Sequence, residues 1–220
     1  LNFEHYPKDL PFLVRKYYRY FFPRFAKKAT KVVTVSEYSK NDISRTYSIP
    51  SGKIDITCNG VNDTFKPVSP DDQIRIKERY TNGSSYFVFV GVLHPRKNLV
   101  NLFRGFDLFK AKTGSEIKLV IVGRKKWWTK EIANAFDNMR FQHDVVFTGR
   151  LEQSELVGVI GSAIAMTYIS YFEGFGIPVI EAFRCNVPVI TSTVTSLPEI
   201  AGDAALYADP FNTESISSAM

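Results

Sequence analysis

From Tyr86 onward the chain alternates short apolar runs with longer amphipathic segments, and this alternation constrains the fold more than any other feature. Residues 86–91, 118–123, 145–149, 163–169 and 187–191 are short and apolar, the composition of strands buried on both faces. Between them, residues 98–112, 129–140, 153–161 and 178–184 read as helices. In the first of these, apolar side chains recur at 99, 102, 103, 106 and 109, which is one helical face. A short helical turn at 197–201, a last strand at 205–207 and a helix from Thr213 follow. Strands alternating with helices predict a parallel sheet covered by helices on both faces, an α/β fold of Rossmann-like type.

Such sheets bind ligands beyond the carboxyl ends of their strands. Three successive predicted strands end in glycine followed by basic residues: Gly91 before Pro95-Arg96-Lys97, Gly123 before Arg124-Lys125-Lys126, and Gly149 before Arg150-Leu151. The fourth opens into Glu173-Gly174-Phe175-Gly176-Ile177-Pro178-Val179-Ile180-Glu181, a strand-to-helix turn with a proline near the first helical position. A helix N-terminus presents unpaired N–H groups and the positive end of a dipole, which suits phosphate, and glycines let the backbone approach a ligand. The two carboxylates could hold hydroxyls of a sugar and a ribose. Alone, the turn reads equally well as an ordinary loop with solvated acids. The four strand ends together predict an anion-binding crevice.

The first third of the chain is less regular. Residues 10–29 read as a helix interrupted near Pro23, residues 31–35 and 54–57 as short strands, and Ser36 or Ser39 as the cap of a helix running to about Tyr47. A further helix is predicted over 74–80, and Pro67 and Pro70 mark a domain boundary. Net charge is +6, yet residues 12–31 hold seven basic side chains and no acidic one, so the remainder is close to neutral. This stretch is also aromatic. It fits a helix that packs its aromatics and solvates its basic face before it fits a surface that touches an anionic membrane or nucleic acid. No apolar run reaches the length of a transmembrane helix. Cys58 and Cys185 lack partners at metal spacing and form no disulfide framework, so a reducing compartment is the default. The start at Leu1, without an initiator Met or signal pattern, gives the expectation of a piece from a longer protein.

The sequence resembles the family 4 retaining glycosyltransferases of the GT-B fold. The residues that carry the likeness are Val33-Thr34-Val35-Ser36-Glu37-Tyr38-Ser39-Lys40-Asn41-Asp42-Ile43, Cys58-Asn59-Gly60-Val61-Asn62, His94-Pro95-Arg96-Lys97-Asn98-Leu99, Phe147-Thr148-Gly149-Arg150-Leu151, the Glu173–Glu181 stretch as the family's E-x7-E signature, and Leu197-Pro198-Glu199-Ile200-Ala201. The resemblance implies two Rossmann-like domains with the active site between them. Residues 1–61 would be the tail of the N-terminal, acceptor-side domain. Residues 62–220 would be the nucleotide-sugar-binding domain without its final crossover helix. It further implies a retaining sugar transfer from a UDP- or GDP-sugar to a glycan or lipid-linked acceptor, with no cofactor and no metal. No nucleic-acid partner is expected. The protein would be cytoplasmic, with residues 12–31 as a candidate peripheral membrane contact. This fragment would bind nucleotide but lack activity.

By the same resemblance, Glu173 meets the transferred sugar and Glu181 the ribose hydroxyls. Gly174, Phe175, Gly176 and Ile177 offer backbone N–H groups to sugar and phosphate. Arg96 and Lys97 carry the diphosphate charge, and Arg150 with Leu151 forms the base-binding corner. Many members place arginine directly after the first strand's glycine, where this chain has Val92. Residues outside the signature keep two readings. His94 is a ligand contact or a solvated loop residue. Trp127 and Trp128 line the crevice or pack on the sheet. Glu199 braces the Glu173 loop or caps a short helix. The rival functions are a non-catalytic nucleotide- or sugar-binding module and another GT-B enzyme, an epimerase or a phosphorylase.

Overall fold

A computed structural model describes the backbone of residues 1–220 and every side chain except that of Asp9. Two parallel sheets organise it. The smaller pairs β1 (Val32–Thr34) with β2 (Ile54–Ile56) through α3 (Glu37–Tyr47). Before them come α1 (Asn2–His5) and α2 (Phe12–Lys28). Phe3, Tyr47, Ile49 and Ile54 form a small core there. The expected break at Pro23 does not occur: α2 runs through it. A proline in a helix removes one N–H and crowds the carbonyl four residues back, here that of Arg19; the next carbonyl, of Tyr20, accepts from the Arg24 guanidinium. No residue of α2 is fully buried, and Tyr18 and Phe22 set their rings against Phe3 at 5.3 and 5.0 Å between centroids.

The larger sheet holds β3 (Tyr86–Val90), β4 (Lys118–Val122), β5 (Val145–Gly149), β6 (Ala165–Tyr168), β7 (Val189–Ser192) and β8 (Ala205–Ala208). All pairings are parallel, in the order β5-β4-β3-β6-β7-β8. Every strand lies within two residues of its predicted span. Helices α4 (Pro70–Thr81), α5 (Leu99–Thr113), α6 (Lys130–Asp137), α7 (Gln153–Gly161), α8 (Ile177–Arg184), α9 (Leu197–Ala201) and α10 (Thr213–Ala219) complete the unit. The α/β reading of the sequence therefore holds. Helix α4 starts earlier than apolar spacing indicated, because Ser69 accepts from Asp72 N–H as an N-cap and Pro70 occupies the first turn.

The strand order decides where a ligand can sit. From β3 the chain moves to β4 and β5 on one side, then returns to lay β6, β7 and β8 on the other. Neighbouring loops after β3 and β6 thus leave in opposite directions, and a crevice opens between them beyond the strand ends. Among the described residues, no helix is long and apolar enough to cross a membrane.

Candidate functional site

The loops after β3 and β6 bring three charged side chains together at that crevice. The β3 loop ends in a 3-10 turn, Pro95–Lys97. Its Lys97 ammonium lies 2.6 Å from Glu173 Oε1, and its Arg96 guanidinium 3.0 Å from Glu173 Oε2. The Lys97 ammonium also donates to the Tyr168 hydroxyl, which itself donates to Glu173 Oε1 at 3.0 Å. Glu173 is 8% exposed. Burial opposes its charge, but Lys97 and Arg96 outweigh that and hold the carboxyl below its ordinary range. The same burial pushes the Lys97 ammonium down, with Glu173 opposing the shift.

Main-chain bonds fix the two loops to each other. The Arg96 carbonyl accepts from Tyr171 N–H at 2.9 Å, and the Arg96 side chain donates to the Phe172 carbonyl. Asn98, buried and with φ of 60°, turns the chain from the 3-10 turn into α5. Its amide donates to the Ile169 and Pro210 carbonyls at 3.0 and 2.8 Å. The cations and the acid are thereby held in register before any ligand arrives, the preorganisation that electrostatic stabilisation of developing charge requires.

Hydroxyls from two other elements pin the rest of the acid loop. Ser196 donates to the carbonyls of Glu173 and Phe175, both at 3.0 Å. Thr195 Oγ1 accepts from Glu173 N–H at 3.2 Å. Thr195 has φ of 63°, an unfavourable conformation for a β-branched residue that persists only where its surroundings enforce it. From the smaller unit, Ser36 and Ser39 donate to the Gly174 carbonyl at 2.7 and 3.0 Å. Ser36 is also the N-cap of α3, accepting from Ser39 N–H, as the sequence indicated. Glu199 follows neither of its two readings: its carboxylate accepts from the N–H groups of Glu37 and Tyr38 at 2.7 and 3.0 Å, and so caps the start of the distant α3.

The other singled-out residues are distributed as follows. Phe175 and Gly176 are buried in the turn into α8, Gly174 is half-buried, and Ile177 at the helix start is exposed. Glu181 lies further along α8, half-buried, and among the described residues no hydrogen bond or ion pair holds its carboxylate. Burial raises its pKa. Arg150 is exposed and Leu151 packs on the core edge after β5, two strand spacings or about 10 Å across the sheet from β3. Neither contacts the charged cluster through the hydrogen bonds or ion pairs described. His94 caps the 3-10 turn, its Nδ1 accepting from Arg96 N–H at 3.1 Å, and meets Trp127 edge-on at 5.5 Å. The two tryptophans divide the work: Trp128 packs against Phe103, Phe136 and Phe147, whereas Trp127 is 38% exposed.

A cavity of about 380 Å³ lies between Asn2, Phe3 and Tyr6 of the smaller unit and Val92, Arg96 and Lys97 of the larger, with Trp127 on its wall. Larger hollows run along the basic face of α2, about 910 Å³, and between α5 and α6, about 620 Å³. Neither is lined by Lys97 or Arg96, which both face the smaller cavity, so chemistry rather than size selects it. Sequence reasoning singled out Arg96, Lys97 and Glu173, which the structure brings together, but not Tyr168, Thr195 and Ser196, which bond to them or to their loop. The available signals were a lone phenol ending an apolar strand and the hydroxyl-rich run Thr191-Ser192-Thr193-Val194-Thr195-Ser196.

The family description "Glycosyl transferases group 1" matches residues 70–220, and "Glycosyltransferase Family 4" matches residues 2–65. The chain belongs to the group 1 glycosyltransferases. O-antigen chain mannosyltransferase B of Escherichia coli is 30% identical to it over 190 residues, covering 86% of this chain and 50% of the relative. O-antigen chain mannosyltransferase RfbU of Salmonella typhimurium is 30% identical over 216 residues, covering 98% and 56%. The chain thus spans about half the length of these curated relatives. Among solved structures, Anabaena HepE in complex with UDP and glucose shares the fold of this glycosyltransferase with a TM-score of 0.78 at 15% identity, over 88% of this chain and 53% of that one. WaaG, a glycosyltransferase involved in lipopolysaccharide biosynthesis, does so with a TM-score of 0.77 at 17% identity, over 98% and 61%.

Proposed function

We propose that this chain is the donor-binding part of a glycosyltransferase that moves a sugar from a nucleoside diphosphate to a glycan or lipid-linked acceptor, with retention. Residues 62–220 form the nucleotide-sugar-binding unit and residues 1–61 the tail of the acceptor-side domain. The observation that carries this reading is the contact of Glu173 with Lys97 and Arg96 at the sheet's switch point, beside the start of α8. Two cations and a helix N-terminus suit a diphosphate, whose negative charge grows as the glycosidic bond breaks. Glu173, paired with those cations in the ligand-free chain, is left to meet the sugar hydroxyls and the developing oxocarbenium charge once the diphosphate takes its place beside them. Glu181, a half-buried carboxylate without a partner among the described residues, accepts from the ribose hydroxyls. The backbone of Gly174, Phe175, Gly176 and Ile177 faces sugar and phosphate, and Arg150 with Leu151 takes the base. Arg96 and Lys97 neutralise the diphosphate without a metal.

O-antigen mannosyltransferases among the relatives favour a mannosyl donor and a polysaccharide product. The named UDP complex is a fold relative only, and the proposed donor is a UDP- or GDP-sugar. Calorimetric titration with UDP and GDP is the direct test: one should bind this chain, while sugar transfer stays undetectable without the acceptor side. Binding of neither at millimolar concentration sinks the reading. In the whole protein, Glu173→Ala should lower kcat by about a hundredfold or more, an effect on the size of losing a transition-state charge contact, with nucleotide affinity largely kept. Residues 12–31 form the peripheral membrane contact of a cytoplasmic enzyme. They should draw the chain onto phosphatidylglycerol vesicles in a salt-sensitive way, and equal sedimentation with neutral vesicles would refute this.

A further inference from the structure

Tyr168 is the last residue of β6, 1% exposed, with its ring stacked on Phe89 at 6.3 Å between centroids. A phenol in an apolar strand is costly to bury unless its hydroxyl is bonded. Here the hydroxyl has two partners, and both are charged. It accepts from the Lys97 ammonium and donates to Glu173 Oε1 at 3.0 Å, while Lys97 and Glu173 close the triangle at 2.6 Å. The Lys97 ammonium also lies 4.7 Å from the centre of the Tyr168 ring. Thr191 fixes the strand end by donating to the Tyr168 carbonyl at 3.0 Å.

We propose that Tyr168 is a positioning residue for the transfer reaction: its hydroxyl fixes the Lys97 ammonium and the Glu173 carboxylate relative to each other, so that both point at the donor's reacting bond. This rests on the roles given above to Glu173 and Lys97. Arg96 already holds Glu173 Oε2 at 3.0 Å, but the ion pair alone would leave the Lys97 ammonium free to slide, since it is a point charge on a flexible stem. The phenol adds direction. It offers one lone-pair site to the ammonium and one O–H to the carboxylate, and its rigid ring is held by the core. The bond survives titration of its surroundings, because burial and the adjoining carboxylate keep the phenol protonated far above neutral pH. When a diphosphate draws Lys97 toward itself, the hydroxyl still donates to Glu173, so the acid does not swing out of line.

The groups that face this triangle are Arg96 and Lys97 from the 3-10 turn and Glu173 from the acid loop. Loss of the hydroxyl removes a donor from Glu173 and an acceptor from Lys97. The carboxyl pKa should then rise and the ammonium pKa fall, narrowing the active pH range from both ends. A packing role alone would leave that range unmoved.

The experiment has two arms. In this chain, the Glu173 carboxyl is titrated by carbon-13 NMR in wild type, in Tyr168→Phe, and with 3-fluorotyrosine at position 168. The last keeps ring and hydroxyl, and so folding, but donates more strongly. The Glu173 pKa should rise in Tyr168→Phe and fall with fluorotyrosine. In the whole protein, Tyr168→Phe should lower kcat by about tenfold or more, the effect of losing a hydrogen bond to a charged group, with donor KM little changed. An unmoved Glu173 pKa in both folded variants overturns the proposal, as does an unchanged kcat. Shifted pKa values in a protein without transferase activity would instead refute the functional reading on which it rests.

Discussion

Replacing Gly123 by alanine tests how tightly the strand ends are packed beneath the crevice. A Cβ on Gly123 would stand 1.8 Å from the Gly91 carbonyl oxygen and 3.3 Å from Leu93 Cδ2, at a backbone φ of 155°. Contacts under 3.0 Å do not persist, so the two loops would have to part by more than 1 Å. Three main-chain bonds resist: Gly91 N–H to Val122 O at 2.9 Å, Gly123 N–H to Gly149 O at 2.9 Å, and Leu93 N–H to Arg124 O at 3.2 Å. Overpacking costs about 1–3 kcal/mol and a backbone region open almost only to glycine another 1–3 kcal/mol, for about 2–6 kcal/mol together. For a domain of this size that lowers Tm by on the order of 10 °C. Gly149→Ala is the control, because φ there is 72° and nothing lies within 4 Å of the added carbon. It should cost only about 1–2 kcal/mol. Urea and thermal unfolding of both variants decide the matter. A Gly123→Ala protein within about 0.5 kcal/mol of wild type, or no less stable than Gly149→Ala, would refute the reasoning.

Other substitutions probe the loops and the free carboxylate. Glu199→Ala removes the cap that the larger unit lends to α3, so hydrogen exchange at the Glu37 and Tyr38 amides should accelerate and stability fall by about 1 kcal/mol. Unchanged exchange at those two amides would contradict the contact. Glu181→Gln should stabilise the ligand-free chain at pH 7 by about 0.5 kcal/mol and weaken nucleotide binding in calorimetry. The sign follows from the raised pKa of Glu181: its favourable contribution is complete below the ordinary carboxylate value of 4.5 and is lost as pH rises through the folded value. Wild type should therefore lose stability relative to Glu181→Gln on going from pH 4.5 to 7, and a difference independent of pH would count against an unpaired carboxylate.

The fold was legible because its signal is repeated. Each strand of the larger sheet is covered on both faces, so each is an apolar run, and the runs recur between helices of regular period. The clustering of Arg96, Lys97 and Glu173 was legible because all three follow strand ends on the same edge of the sheet. The supports were not. Ser196 and Thr195 act through single hydroxyls on main-chain atoms more than twenty residues away, and such bonds leave no periodicity in a sequence. The sequence leaves Glu199 between bracing the Glu173 loop and capping a short helix nearby, whereas the helix it caps lies about 160 residues earlier, a pairing that only packing reveals. Pro23 misled for the opposite reason: a local rule pointed to a break, yet the helix runs through it, with Tyr18 and Phe22 packed against Phe3.

The bonds that tie the Arg96 carbonyl to Tyr171 N–H, the Arg96 side chain to Phe172, and Asn98 to Ile169 carry a consequence for protein engineering. The two loops that meet at the crevice are far apart in sequence but behave as one mechanical part. A chimera that imports the 94–98 segment from a relative while keeping the native 169–173 segment would join halves of different fasteners. Donor preference should therefore transfer between relatives only when both segments are exchanged together, with the recombination points placed inside α5 and β6, where the backbone is held by its own helix or sheet.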